Sequence, residues 1–106
     1  MENEKFTPGE WAIEDQREND TVYDYAIVDD DGWYIAHIEN CTRLEVQEAN
    51  AYLIAAAPKM YQRLQSVKTD LWALSVNPAI SAQTKECIDI IIKNIEGDLI
   101  KARGEK

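Results

Sequence analysis

Apolar residues recur along this chain with two different periods, and the change between them divides it. From residue 11 to 38 they alternate or gather in short runs, whereas from 43 to 104 they return every three or four positions. Strand side chains alternate between two faces and helix side chains share a face about every 3.6 residues, so the pattern predicts a β-meander followed by a helical hairpin. The 106 residues fit one domain of the α+β class: an N-terminal three-stranded antiparallel sheet, a long proline-kinked helix and a second, antiparallel helix.

Within the meander, Trp11 and Ile13 flank Ala12 as a short alternating strand. Residues 14–21 are nearly all polar and read as a loop. Ahead of them residues 1–10 form a polar lead-in, in which Thr7-Pro8-Gly9 signals a turn. The clearest strand is 22–28, rich in aromatic and β-branched residues; Asp29-Asp30-Asp31-Gly32 turns the chain and 33–38 returns it. With a three-residue loop and Gly32 in the left-handed position, Ile27 faces Ile35 and Tyr25 faces His37, while Val28, Tyr34, Ala36 and Ile38 take the opposite side. A two-residue Asp31-Gly32 turn would shift every pair. Both faces carry apolar residues, so helices covering one side leave tyrosine or tryptophan exposed on the other, a candidate contact surface.

Thr42 and Glu45 fit a capping box, which starts the first helix at about Arg43. Ala49, Leu53, Ala56, Met60, Leu64, Val67, Leu71 and Leu74 then form one helical stripe. Pro58 removes the donor that would reach the carbonyl of Ile54, yet the stripe keeps its phase across it, which favours a kinked continuous helix over two separate ones. Asn77-Pro78 ends this helix, with Asn77 or Ser81 capping the next. Ile88, Ile91, Ile92, Ile95, Leu99 and Ala102 mark the second stripe, and Gly104 is placed to terminate it. Gly97 either weakens that helix or marks a close contact.

Charge changes the picture more than size does. The net charge of −9 is uneven: residues 1–48 carry fourteen Asp and Glu against three Lys and Arg, and residues 49–106 carry six against eight. An acidic front half opposes binding to nucleic-acid phosphates and favours basic partners. No stretch has the length of a membrane span or the make-up of a secretion signal, so a soluble cytoplasmic protein is expected, and the glycosylation patterns at Asn19 and Asn40 then carry no consequence. Cys41 and Cys87 have neither disulfide-framework nor metal-knuckle spacing and read as buried or incidental thiols.

Candidate chemistry is thin. His37 is the single histidine, and no nucleophile elbow accompanies it. Asp29-Asp30-Asp31-Gly32 hints at a calcium loop, but Trp33 occupies its fifth position and Asn40 its twelfth, so a turn is the better reading. Glu14-Asp15 has no apolar pocket to raise a carboxyl pKa. With no phosphate loop, dinucleotide fingerprint or zinc motif, the sequence predicts no enzyme, no cofactor and no metal.

The run Ala49-Asn50-Ala51-Tyr52-Leu53-Ile54-Ala55-Ala56-Ala57-Pro58 resembles a segment of small phage and prophage proteins, mostly of uncharacterised function, in which "ANAxLIAAAP" precedes a leucine-bearing helix. Thr7-Pro8-Gly9-Glu10-Trp11 is similar to their opening, Asp31-Gly32 with Ile35-Ala36 to their hairpin, and Ala102-Arg103-Gly104-Glu105 to their ending. The resemblance implies a phage accessory protein acting inside a bacterial host cell, and carries no catalytic residue. The expected function is therefore binding to a host or phage protein through Tyr23, Tyr25, Asp29, Asp30, Asp31, Trp33 and Tyr34, as an acidic inhibitor or DNA mimic, with self-association through the helices. Two alternatives are an oligomer that sequesters a nucleotide signal, with Lys59, Arg63 and Lys68 contacting phosphate, and a purely structural assembly module.

Overall fold

The computed structural model describes residues 5–18, 22–40 and 42–105. Its elements follow the order β1 (Ala12–Asp15), β2 (Tyr23–Val28), β3 (Tyr34–Glu39), α1 (Leu44–Ser75) and α2 (Ala82–Ala102). The α+β class and the sheet-then-helices order are as the periodicity predicts. The chain divides into two compact units, Met1–Lys59 and Met60–Lys106, with the boundary inside α1 just past Pro58. The helix runs unbroken through that proline. Residues 19–21 and Cys41 lie outside the described residues.

In the first unit the strands form an antiparallel sheet in the order β1-β2-β3. β1 reaches Asp15, two residues into the stretch expected to be loop, because Glu14 and Asp15 pair with Ala26 and Tyr25. Register across the hairpin differs from the simple expectation. Gly32 does adopt the left-handed conformation, φ +84°, that a three-residue loop requires. A bulge between Ile27 and Val28 then shifts the pairs, so that Ile27 faces Ala36, Tyr25 faces Ile38 and Ala26 faces His37. Ala36 and Ile38 consequently join Ile35 on the core side instead of siding with Tyr34.

Tyr25, Ile27 and Ala51 are the buried centre of this unit, with Trp11, Ile13, Ile35, Ala36, Ile38, Ile54 and Ala55 packed around them. Ile27 is fully buried, a burial that stabilises by about 1.5–3 kcal/mol, and Ala51 leaves room for the helix backbone to approach the sheet. The buried face of α1 is thus not the expected stripe. Gln47, Ala51 and Pro58 are buried and Ile54 and Ala55 half-buried, whereas Ala49, Leu53, Ala56 and Met60 are exposed. Two apolar rows with three-and-four spacing run along this helix, and spacing alone does not say which one meets the sheet. The capping box also fails to form. The helix starts at Leu44, so Thr42 stands one residue too far out, and its carbonyl accepts from Gln47 Nε2 at 2.6 Å instead.

In the second unit Ile88, Ile95 and Leu99 of α2 are buried, as is Tyr61 of α1, with Leu64 and Leu71 half-buried. Arg103 Nη1, just past the C-terminus of α2, donates to Tyr61 Oη at 3.0 Å, so α2 returns antiparallel to α1. Ser81 rather than Asn77 caps α2, accepting from the amide of Thr84 at 3.1 Å, while Asn77 Oδ1 holds the amide of Ala79 at 2.9 Å in the connecting turn. Ile91 and Ala102 of the expected stripe are exposed. Gly104 closes the helix with φ +77°: its amide donates to the carbonyl of Lys101 and that of Glu105 to the carbonyl of Ile100, the two bonds of a Schellman ending.

Candidate binding face on the hairpin

Cross-strand partners share a face of a sheet, and the register therefore sorts the hairpin residues. One face carries the rows Ile13-Ile27-Ala36 and Asp15-Tyr25-Ile38 and meets α1. The other carries Glu14-Ala26-His37 and Ala12-Val28-Tyr34. On this outer face the His37 ring lies between Tyr23 and Tyr34, with centroid separations of 4.6 Å to each. On the same face Ala26, paired with His37, and Val28, paired with Tyr34, are buried. Tyr34 Oη donates to Glu14 Oε1 at 3.3 Å; Gln16 Nε2 donates to Tyr34 Oη at 3.4 Å and also bonds Glu14. A belt of aromatic faces edged by an acid and an amide is the result.

The three loop aspartates have three different fates. Asp29 Oδ1 accepts from the amides of Asp31 and Trp33, each at 2.9 Å, and the Asp29 amide donates to the carbonyl of Trp33, so this carboxylate holds the loop shut. That is the work of a turn residue, with one oxygen already committed to two amides. Asp30 packs its carboxylate against Gly9, which has φ +90°. Gly9 belongs to a tight lead-in where Trp11 Nε1 donates to the carbonyl of Thr7 at 3.1 Å and Phe6 meets Trp11 edge-on at 6.3 Å. Asp31 alone is exposed with its carboxylate uncommitted among the described residues, and beside it Trp33 is 73% exposed.

Of the expected binding residues, Tyr25 is removed from the surface. Its ring is in the core, and its hydroxyl donates to Glu48 Oε2 at 3.1 Å. Burial pushes its phenol pKa up, and the hydrogen bond to the Glu48 carboxylate adds to that. The Arg17 guanidinium stands 5.7 Å from the Tyr25 ring centroid. It also grips Asp15 through two nitrogens, Nη2 at 2.6 Å and Nε at 3.0 Å, and these hydrogen bonds together with one from the Arg17 amide bring the Asp15 carboxyl down to about 2. Tyr23, Trp33 and Tyr34 stay on or near the surface. Sequence reading missed Glu14, Gln16 and His37 as companions of Tyr34, because the bulge that aligns them leaves no mark in the alternation. Lys59, Arg63 and Lys68 all lie along α1, in the last residue of the first unit and in the second unit. Cys87 is exposed and free, the incidental thiol of the two expected alternatives.

No helix among the described residues is long and apolar enough to cross a membrane. The chain matches the model of the family described as Salmonella phage P22 protein Y8K6 over residues 1–106. No curated protein and no solved structure matches the chain.

Proposed function

We propose a binding function for this chain, which belongs to the family of Salmonella phage P22 protein Y8K6 and is thus a phage protein: it docks a basic segment of a protein partner on the outer hairpin face. The observation that carries the proposal is the pairing of the exposed Trp33 and Tyr34 with a surround of one sign. Residues 22–40 contain five carboxylates and no lysine or arginine. Exposed aromatics supply contact area at low entropic cost, and a single-signed field speeds and selects encounter with a basic surface. Arginine and lysine side chains also lie favourably on tyrosine and tryptophan rings. The partner is accordingly a protein with an exposed basic strand or loop, from host or phage.

Affinity capture from bacterial lysate tests this with three baits: the natural chain, Trp33→Ala and Asp31→Lys. Asp29 and Asp30 are unsuitable because they hold the loop and the lead-in. Capture of a basic protein by the natural chain, weakened in both variants and by raised salt, is expected. Equal recovery by all three baits, or none by any, overturns the assignment.

A further inference from the structure

Exposed large apolar side chains recur on α1 with a period of seven. In the second unit these are Met60, Val67 and Leu74, exposed by 50%, 44% and 47%. Val46 and Leu53 keep the same phase in the first unit. This row is distinct from the one that α1 buries. A straight α-helix drifts by about 20° per seven residues, so a strict seven-residue apolar row marks a seam that another helix follows by supercoiling.

Three residues on from Met60 and Val67, flanking the row on one side, stand Arg63 and Asp70. Both are exposed, and neither forms an ion pair among the described residues. Their order identifies what fits. A second copy aligned in parallel would set Arg63 against Arg63 and Asp70 against Asp70. A second copy running the opposite way, with Val67 level with Val67 of the other chain, brings each Arg63 to within one residue along the axis, about 1.5 Å of rise, of the other chain's Asp70. The same geometry sets Met60 level with the other chain's Leu74 and leaves the charged ends of Arg63 and Asp70 to meet beside the row. A face carrying one cation and one anion symmetrically about its middle is self-complementary under a two-fold axis.

We infer that the Met60–Val67–Leu74 seam of α1 pairs antiparallel with the same seam of a second copy, with reciprocal Arg63–Asp70 contacts fixing the direction.

Sedimentation equilibrium on the full chain tests it with Arg63→Asp, Asp70→Arg and the double exchange. Each single change places two like charges at both symmetric contacts, and the dimer weakens at least about tenfold. The double exchange rebuilds the pairs in reverse and restores the natural affinity. Both positions are exposed, so circular dichroism should be unchanged throughout. A monomeric natural chain at about 100 μM, far above ordinary specific affinities, overturns the inference. So does a double exchange as weak as the singles, because only the antiparallel arrangement rescues it.

Discussion

Replacing Gly9 by alanine probes the joint between the lead-in and the hairpin tip. The glycine has φ +90°, a conformation that costs an L-residue about 1–2 kcal/mol. A Cβ there would overlap Asp30 Oδ2 and come within 3.1 Å of Asp30 Cγ. The second effect is the smaller one, because the carboxylate is the end of an exposed side chain and can rotate away. Alanine also narrows the unfolded ensemble, which offsets roughly 0.4–1 kcal/mol. The expected net loss is about 0.5–1.5 kcal/mol, or several degrees in Tm for a chain of this size. Urea unfolding followed by tryptophan fluorescence reads it, since Trp11 sits two residues away. The same substitution in an Asp30→Ala background should cost measurably less, by the overlap alone. An unchanged midpoint in Gly9→Ala would refute the backbone argument, and equal costs in both backgrounds would refute the Asp30 contact.

Other expectations follow from single contacts. Tyr25→Phe removes the bond to Glu48 but leaves an exposed carboxylate that water can reach, so thermal unfolding should show a loss of only about 0.5–1.5 kcal/mol; a loss above about 3 would mean the cluster is buried more deeply than described. The Asp15 carboxyl should titrate by NMR near 2 in the natural chain and return to roughly 4 in Arg17→Ala. Because its folded value is depressed, the stability that pair contributes is present above about 4 and is lost as pH falls through about 2. Gly97 sits in α2 with no atom within 4 Å of an added Cβ, so Gly97→Ala should raise stability by up to about 1 kcal/mol in chemical denaturation.

Much of the architecture was legible in the residues. β2 is written in Tyr23, Tyr25, Ile27 and Val28, the hairpin in Asp29 to Gly32, and the helix end at Gly104 in its missing side chain. What the sequence left open shares one cause: each depends on which of two equivalent local patterns wins tertiary contact. The bulge beside Ile27 adds one residue to β3 and reassigns Tyr25 and His37 without altering the alternation that predicts a strand. Along α1, the row with Leu53 and Met60 is the more apolar, yet the row with Ala51 and Ile54 meets the sheet, where small side chains allow close approach. Helix pattern names the candidates; the sheet selects among them. The outer face was half visible, since Tyr34 stood out by type, whereas Glu14 and Gln16 belong to a stretch with no pattern at all. Tyr25 was misassigned to the surface because its core role depends on Ala51 and Glu48, more than twenty residues away in the chain.

The most direct test of the binding account is photo-crosslinking in infected bacteria, with a photoreactive residue placed at position 33 in one version and at position 93 on α2 in another. Lys93, like Trp33, is exposed. The account predicts a discrete adduct with a basic protein from position 33 and none from position 93. Adducts from position 93 alone, or from neither position, would contradict the assignment of the outer hairpin face as the site of contact.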